Sequence, residues 1–369
     1  MTLRFPVISL NGMDELIIQM LPAENSAHIP GILGWGIELI RLIQRIENPG
    51  LTALLKFITA FGTELFYLPA ILFIFWWVDE KRGLRFGILI IVSAWINSFV
   101  KDLFKQPRPF HFDASLGLAH ESSYGAPSGH AQMSLSFWIP MAAWLGRTGE
   151  KTKKWRRLIW AFSIFFILLI GFTRLYLGVH FPTDLFAGWL LGGIILVLWF
   201  FPGSYFEKFL IKGGARLQNI CAAFFVLVMN GLYPQDNSLP AILLGFCLGY
   251  TLMEKRFPFS AHGCINGKKP GVVVMILRCV TGFLGMAVIY LGLRLIFPGE
   301  GSLFKDIPVW GRASPFYTLG RFVRYGLVGF WISAGAIKTF QRFGLAQKPN
   351  DPALNTNAAG RENKNGEEP

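Results

Sequence analysis

"RTGEKTKKWRRLIWAFSIFFILLIGFTR", Arg147 to Arg174, joins two kinds of chemistry in one stretch. The first part, Arg147 to Arg157, is the densest basic segment of the chain. The residues from Leu158 to Thr173 carry no charge at all. A helix of roughly 20 apolar residues crosses the hydrocarbon core of a bilayer, and Lys/Arg-rich loops stay on the cytoplasmic side. This stretch therefore reads as a cytoplasmic loop feeding a membrane span. Further apolar blocks of similar length lie on both sides of it. About nine spans are expected, near 58–78, 85–104, 130–146, 157–175, 184–201, 218–234, 239–253, 271–297 and 322–340.

Composition agrees with that reading. Of the 369 residues, 53% are hydrophobic and only 15% charged, with a mean hydropathy of +0.44; soluble domains carry about 25% charged residues. The expected fold is all-α, a polytopic transmembrane helical bundle. The formal charge of +13 is assigned to cytoplasmic loops. Nucleic acid is not expected as a partner, because no basic-aromatic groove or reading helix stands out. Cys221, Cys247 and Cys279 fall in apolar runs and read as small buried hydrophobes. His262 and Cys264 in "HGC" are too few for a zinc site, and no metal or cofactor is expected. The opening "MTLRFPVISLNGMDEL" lacks the zones of a signal peptide.

With 147–157 in the cytoplasm, alternation places 79–83, 207–216, 254–269 and the tail from Gln341 on the same side, and all of these loops are basic-rich. The loops at 105–129, 176–183, 235–238 and 298–321 then face outward. "GWGIELIRLIQRI", Gly34 to Ile46, gathers Ile37, Leu39, Ile40, Leu42, Ile43 and Ile46 largely on one face, opposite Glu38, Arg41 and Arg45. That pattern suits a helix in the outer membrane interface or one packed on the protein's own bundle.

Three polar clusters fall at outer span ends. In "KDLFKQPRP", Lys101 and Arg108 are two helical turns apart, and Pro107 and Pro109 stop the helix. Alone this is either an anion seat or a snorkelling pair. "PSGH", Pro127 to His130, opens a helix, where free N–H groups, Gly129 and the Ser128 hydroxyl suit a phosphate; an N-cap turn is the alternative. In "TRLYLGVHFPTD", Arg174 ends a span, and His180 and Asp184 lie four apart. An Asp accepting from one imidazole nitrogen leaves the other free to attack; a capped loop is the alternative. The conjunction decides between these readings. Ten specified residues occur in order, each with about a one-in-twenty chance by composition, and all three clusters fall on the outer side of a topology derived separately from loop charge.

K-x6-RP, PSGH and R-x5-H-x3-D resemble the three signatures of the type 2 phosphatidic acid phosphatase superfamily, which also includes vanadium haloperoxidases. The resemblance covers about Phe57 to Phe201, with Thr173 standing where the family usually has Ser. It implies that His180 is a nucleophile forming a phospho-histidine, that Asp184 orients it, and that His130 protonates the leaving group and then helps activate water. It also implies that Lys101, Arg108, Ser128, the Gly129 N–H and Arg174 bind the phosphate oxygens without a metal. The implied substrates are lipid phosphates or pyrophosphates entering sideways from the leaflet. "YGAPSGHAQ" is similar to second motifs of the sphingosine-phosphate phosphatase branch. The implied setting is an integral protein of a bacterial inner (cytoplasmic) membrane with its site facing the periplasm or exterior. Two alternatives differ in outcome: a lipid phosphotransferase with an acceptor other than water, and a lipid transporter built on the C-terminal helices.

The expected organisation is an N-terminal interfacial region (1–56), a catalytic bundle (57–202), additional transmembrane helices (203–341) and a disordered cytoplasmic tail (342–369). Oligomeric state is not readable from the chain. Arg278, about 10 Å inside its span by helical rise, reads either as a functional intramembrane charge or as snorkelling. Glu64 is placed to pair with Lys101 or Arg108, or to bond a backbone group, and the loop Gly299–Arg321 either caps the site or has no role.

Overall fold

The computed structural model describes residues 31–147, 152–265, 267–297 and 315–347, and the fold is helical throughout these segments. Residues 348–369 of the expected tail, most of the 298–321 loop and the first 30 residues lie outside the described residues; 342–347, expected as the start of a disordered tail, are packed instead, with Leu345, Ala346 and Gln347 buried. The chain divides into two compact units. Among the described residues, the first comprises Gly31–Tyr67 and those from Ser93 to Phe200; the second comprises Leu68–Val92 and those from Phe201 onward.

The first unit opens with α1 (Gly31–Gln44) and α2 (Pro49–Thr59), the latter started by the Asn48 side chain accepting from Leu51 N–H and by Pro49 at its first position. Ile37 and Ile40 of α1 are buried against Leu116 and Phe181, and the Gln44 amide donates to the carbonyls of Leu116 and Tyr176. Trp35, Leu42 and Ile46 remain exposed. The apolar face of α1 is thus divided: one edge packs on the protein itself. A short 3-10 turn (Ala60–Gly62) and extended Thr63 separate α2 from α3 (Glu64–Phe73), and the two helical stretches meet at 50°.

The units share α3 and α4 (Glu80–Phe104). After α4 come a single turn, α5 (Pro109–Phe112), and a 3-10 turn (Ala114–Leu116). Then follow α6 (Gly129–Arg147), α7 (Lys153–Tyr176) and α8 (Pro182–Phe200). Helix α6 packs on α7 and on α8. Its approach to α8 depends on Gly188 and Gly192, spaced one turn apart. A Cβ at Gly188 would lie 2.5 Å from the Ser128 carbonyl oxygen, and one at Gly192 would lie 3.1 Å from that of Gln132. Small residues at this spacing let membrane helices come together backbone to backbone. Gly188→Val is expected to push the 127–130 turn off α8, at about 1–3 kcal/mol; a lower melting temperature together with reduced turnover of the purified protein checks it.

Polar side chains tie α4 to α6. Gln132 donates to the Ser93 carbonyl (2.8 Å) and hydroxyl (2.9 Å) and accepts from Asn97 (2.8 Å), while Ser93 and Ser136 share a hydrogen bond at 3.1 Å. All four residues are buried. Their polarity faces protein rather than lipid, so α6 reads as less apolar than it is on its outside.

In the second unit, a helix runs from Pro202 to Leu232 with a break at Gly214 (φ 72°, ψ −174°), a conformation open to glycine. Residues 207–216, expected as a loop, are therefore largely helical: Tyr205, Phe206, Phe209 and Ile211 are exposed, and Glu207 pairs with Arg85. We label this broken helix α9. It is followed by α10 (Ser238–Arg256), α11 (Val272–Ile296), α12 (Pro315–Phe330), a π-helical turn (Trp331–Gly335) and α13 (Ala336–Arg342). Arg278 of α11 is fully buried and does not snorkel. It donates to the carbonyls of Leu345 (2.7 Å), Ala261 (2.9 Å) and Trp76 (3.1 Å) and stacks over Phe259. The buried cation ties together three backbone carbonyls that are far apart in sequence.

Five helices among the described residues are long and apolar enough to cross a membrane: 80–112, 153–176, 182–200, 202–232 and 272–296. The bent pair 49–62 and 64–78 makes a sixth if it is one span.

Candidate active site

The site is built at one end of the first unit, where the 105–129 and 176–183 loops pack on each other. Leu118 N–H donates to the Leu177 carbonyl, and Gly178 (φ 66°) lies so close to the Leu116 carbonyl that a Cβ would sit 1.8 Å from its oxygen. Both the backbone conformation and the contact require glycine there.

His180 lies between α7 and α8 and is buried. Its Nδ1 is 3.2 Å from Asp184 Oδ2, and its Nε2 is 3.2 Å from Arg108 Nη1. A guanidinium only donates. Nε2 is therefore the acceptor nitrogen, and Nδ1 carries the proton donated to Asp184. Burial first, and then the positive charges of Arg108, Lys101 and Arg174, hold the His180 imidazole well below its ordinary pKa. At neutral pH it is uncharged, with its lone pair on Nε2.

Asp184 sits in the first turn of α8, after Pro182, and is fully buried. Besides His180 it accepts from Phe181 N–H (2.9 Å) at Oδ2 and from the Gln106 amide (2.7 Å) at Oδ1. Its backbone carbonyl accepts from Ser128 N–H at 2.9 Å, which locks the 127–130 turn to the helix bearing the carboxylate.

The three expected cations are held in different ways. Lys101 Nζ donates to the Tyr124 (2.6 Å) and Gly125 (3.1 Å) carbonyls, just before the 127–130 turn. Arg108, fully buried, donates to the carbonyls of Ser123 (2.6 Å), Val179 (2.8 Å) and Tyr124 (3.1 Å), and to the Ser123 hydroxyl (3.0 Å). Arg174, at the end of α7, donates to the Thr59 hydroxyl at 2.8 Å. Glu121 joins the two arginines: its carboxylate pairs with Arg108 Nη2 at 2.7 Å and with Arg174 Nη2.

Ser128 Oγ, His130 Nε2 and Arg174 Nε are buried without a hydrogen-bond partner among the described residues. Buried polar atoms are ordinarily satisfied, so three such atoms on three of the residues singled out in the sequence mark a place for a polar ligand. His130 is backed by Gly62, where a Cβ would lie 2.7 Å from its ring, and Gly129 is backed by the Asn97 side chain, 3.0 Å from where a Cβ would be. Thr173 turns its hydroxyl back to the Ile170 carbonyl at 2.6 Å, away from this chemistry.

Glu64 is exposed and pairs with neither Lys101 nor Arg108; Glu121 takes the place expected for it beside Arg108. Sequence reasoning also missed Gln106, which lies inside the first motif, and Asn97, one turn before Lys101. The only signal of Asn97 is a polar side chain on an otherwise apolar helix, and Gln106 lies past the end of α4, in a polar loop with no periodicity to mark it.

Apolar helices gathering two imidazoles, a buried carboxylate and three cations form the architecture of a membrane phosphatase. The chain belongs to the PAP2 superfamily: that family's profile matches residues 82–208, and a second, the PAP2 superfamily phosphatase transmembrane extension, matches 238–348. It is 31% identical over 174 residues to an undecaprenyl-diphosphatase of Sulfolobus acidocaldarius, covering 45% of this chain and 77% of that one. It is 29% identical over 167 residues to phosphatidylglycerophosphatase B of Bacillus subtilis (44% and 79% covered). With sphingosine-1-phosphate phosphatase 2 of Mus musculus the likeness extends over 260 residues at 27% identity, covering 66% of this chain and 72% of that protein.

Proposed function

We propose that this protein hydrolyses a lipid phosphate or pyrophosphate through a phospho-histidine on His180, at the outer face of the membrane. The observation that carries the reading is the tautomer of His180. Asp184 accepts the hydrogen bond from Nδ1–H and Arg108 Nη1 donates to Nε2, so the nucleophilic lone pair lies beside a guanidinium that a phosphoryl group also needs. Phosphoryl transfer depends chiefly on placement and charge neutralisation. Arg108 and Arg174, with Ser128 Oγ and the Gly129 N–H, bind the phosphoryl oxygens, and Lys101 adds charge while fixing the loop before them. Attack of Nε2 on phosphorus breaks the bond to the leaving oxygen, which takes a proton from His130. Water, deprotonated by His130, then releases phosphate and restores His180. Asp184 offsets the imidazolium charge in both steps.

A lipid substrate suits an apolar groove of about 130 Å³ lined by Leu135, Ile139, Ile164, Ile167, Leu168 and Trp189. These residues lie on α6, α7 and α8, the helices that bear His130, Arg174 and Asp184. The substrates named in the relatives above, a polyprenyl diphosphate, a phosphatidylglycerol phosphate and a sphingoid phosphate, share a phosphoryl group on an apolar chain. The proposed arrangement has nine spans in a bacterial inner membrane, with α1 along the outer interface, the catalytic block at 57–202 and the helices at 203–341 as an accessory block. Lys/Arg placement in the loops supports it.

In detergent, the purified protein is expected to release phosphate from at least one of these lipid classes, with the rate unchanged by EDTA. Absence of release across all of them, with label passing instead to an added alcohol acceptor, would favour phosphotransfer.

A further inference from the structure

Glu121 occupies the two arginines assigned above to the phosphate. Its carboxylate bridges Arg108 and Arg174, the two guanidinium groups closest to His180 chemistry. A carboxylate and two oxygens of a phosphate present the same fork to a guanidinium. A phosphate oxygen therefore competes with Glu121 for the N–H that each Nη2 now gives to it.

The two arginines do not need Glu121 to stay in place. Arg108 keeps five bonds, to Ser123 (carbonyl and hydroxyl), Tyr124, Val179 and His180, and Arg174 keeps its bond to Thr59. Glu121 itself is the accessible member of the trio: its side chain is 27% exposed, against 0% for Arg108 and 3% for Arg174. It lies on the segment between the 114–116 turn and Gly125, so it can swing outward without moving a helix. Charge balance points the same way. Lys101, Arg108 and Arg174 face the carboxylates of Asp184 and Glu121. A phosphate dianion added beside both carboxylates leaves the cluster net negative, whereas a dianion that replaces Glu121 leaves it neutral.

We propose that Glu121 is an exchangeable anion, displaced from Arg108 and Arg174 by the substrate phosphate and returning to them to expel the product phosphate. This deepens the phosphatase reading and rests on it. Glu121 is thereby a specificity-determining residue: it sets how strongly an anion must bind before the site accepts it, and it limits inhibition by free phosphate.

The test uses the full chain in detergent, with inorganic vanadate and inorganic phosphate as probes. Their affinities are measured directly by binding and, in the lipid phosphatase assay, as inhibition constants. Glu121→Gln is expected to tighten both anions about tenfold, to lower KM, and to change kcat less than KM or lower it through slower phosphate release. Glu121→Asp, with the carboxylate on a shorter arm, is expected to fall between. Unchanged or weaker anion binding in folded variants overturns the proposal, as does failure of both variants to fold, which would make Glu121 a structural support. The outcome is separable from the parent reading. Anion binding is read without turnover, whereas failure of the phosphatase reading appears as a wild-type protein that releases no phosphate from any lipid.

Discussion

His180→Ala is expected to abolish phosphate release, by a factor on the order of 10⁴–10⁶, the range seen when a covalent nucleophile is removed. No neighbour can replace it. His130 is the other imidazole in the site, but among the described residues no carboxylate pairs with its ring to offset its charge after attack. Loss of the ring also removes one acceptor from Arg108, whose other bonds hold it in place. The variant should therefore still insert in the membrane and still bind vanadate, with a thermal midpoint near that of the wild type. The covalent intermediate supplies an independent readout. Rapid alkaline quenching of the wild type with a phosphorus-labelled lipid should trap label on protein, because a phospho-histidine survives base and is lost in acid, and the variant should trap none. Turnover in His180→Ala near the wild-type rate would remove the mechanism while leaving the family assignment untouched.

The residues of the site were legible in the sequence because phosphoryl chemistry needs specific side chains at short, helix-compatible spacings. His180 and Asp184 lie one turn apart and do meet. What held them was not legible. Gln106 reaches Asp184 across 78 residues, and Asn97 reaches Gln132 across 35; such pairs exist only once helices are packed. Glu121 illustrates the same limit. A single Glu in a polar loop has no periodicity to mark it, whereas Glu64, expected beside Lys101 or Arg108 or on a backbone group, stands out only by lying near a span end. Helical content was misjudged where amphipathic and charged residues mix. The stretch 207–216 contains Lys, Glu and Gly and reads as a loop, yet its Phe and Ile side chains continue a helical face up to the break at Gly214. Arg278 shows the converse. A buried charge in an apolar helix signals function by default; here three backbone carbonyls accept from Nε and Nη1, and Nη2 has no hydrogen-bond partner among the described residues.

Asp184→Asn separates orientation from charge. Phe181 N–H can only donate, and it points at Oδ2 together with His180 Nδ1. An asparagine is therefore forced to place its carbonyl oxygen there, leaving its NH₂ toward Gln106. The Gln106 amide now donates to Oδ1; rotating it by half a turn lets its oxygen accept instead. Every hydrogen bond survives, and the Nδ1–H tautomer with its Nε2 lone pair is retained. Only the negative charge is lost, and that charge matters most when His180 becomes cationic on bonding to phosphorus. The expected result is a fall in kcat of about 10²–10⁴-fold, spanning the loss of one preorganised electrostatic contact and the loss of a triad carboxylate, with KM changed severalfold at most and vanadate binding retained. A matching loss of folding stability would indicate that the amide failed to fit. An unchanged kcat would show that His180 does not carry positive charge in the rate-limiting step, and would leave Asp184 as a scaffold for the 127–130 turn through its backbone carbonyl alone.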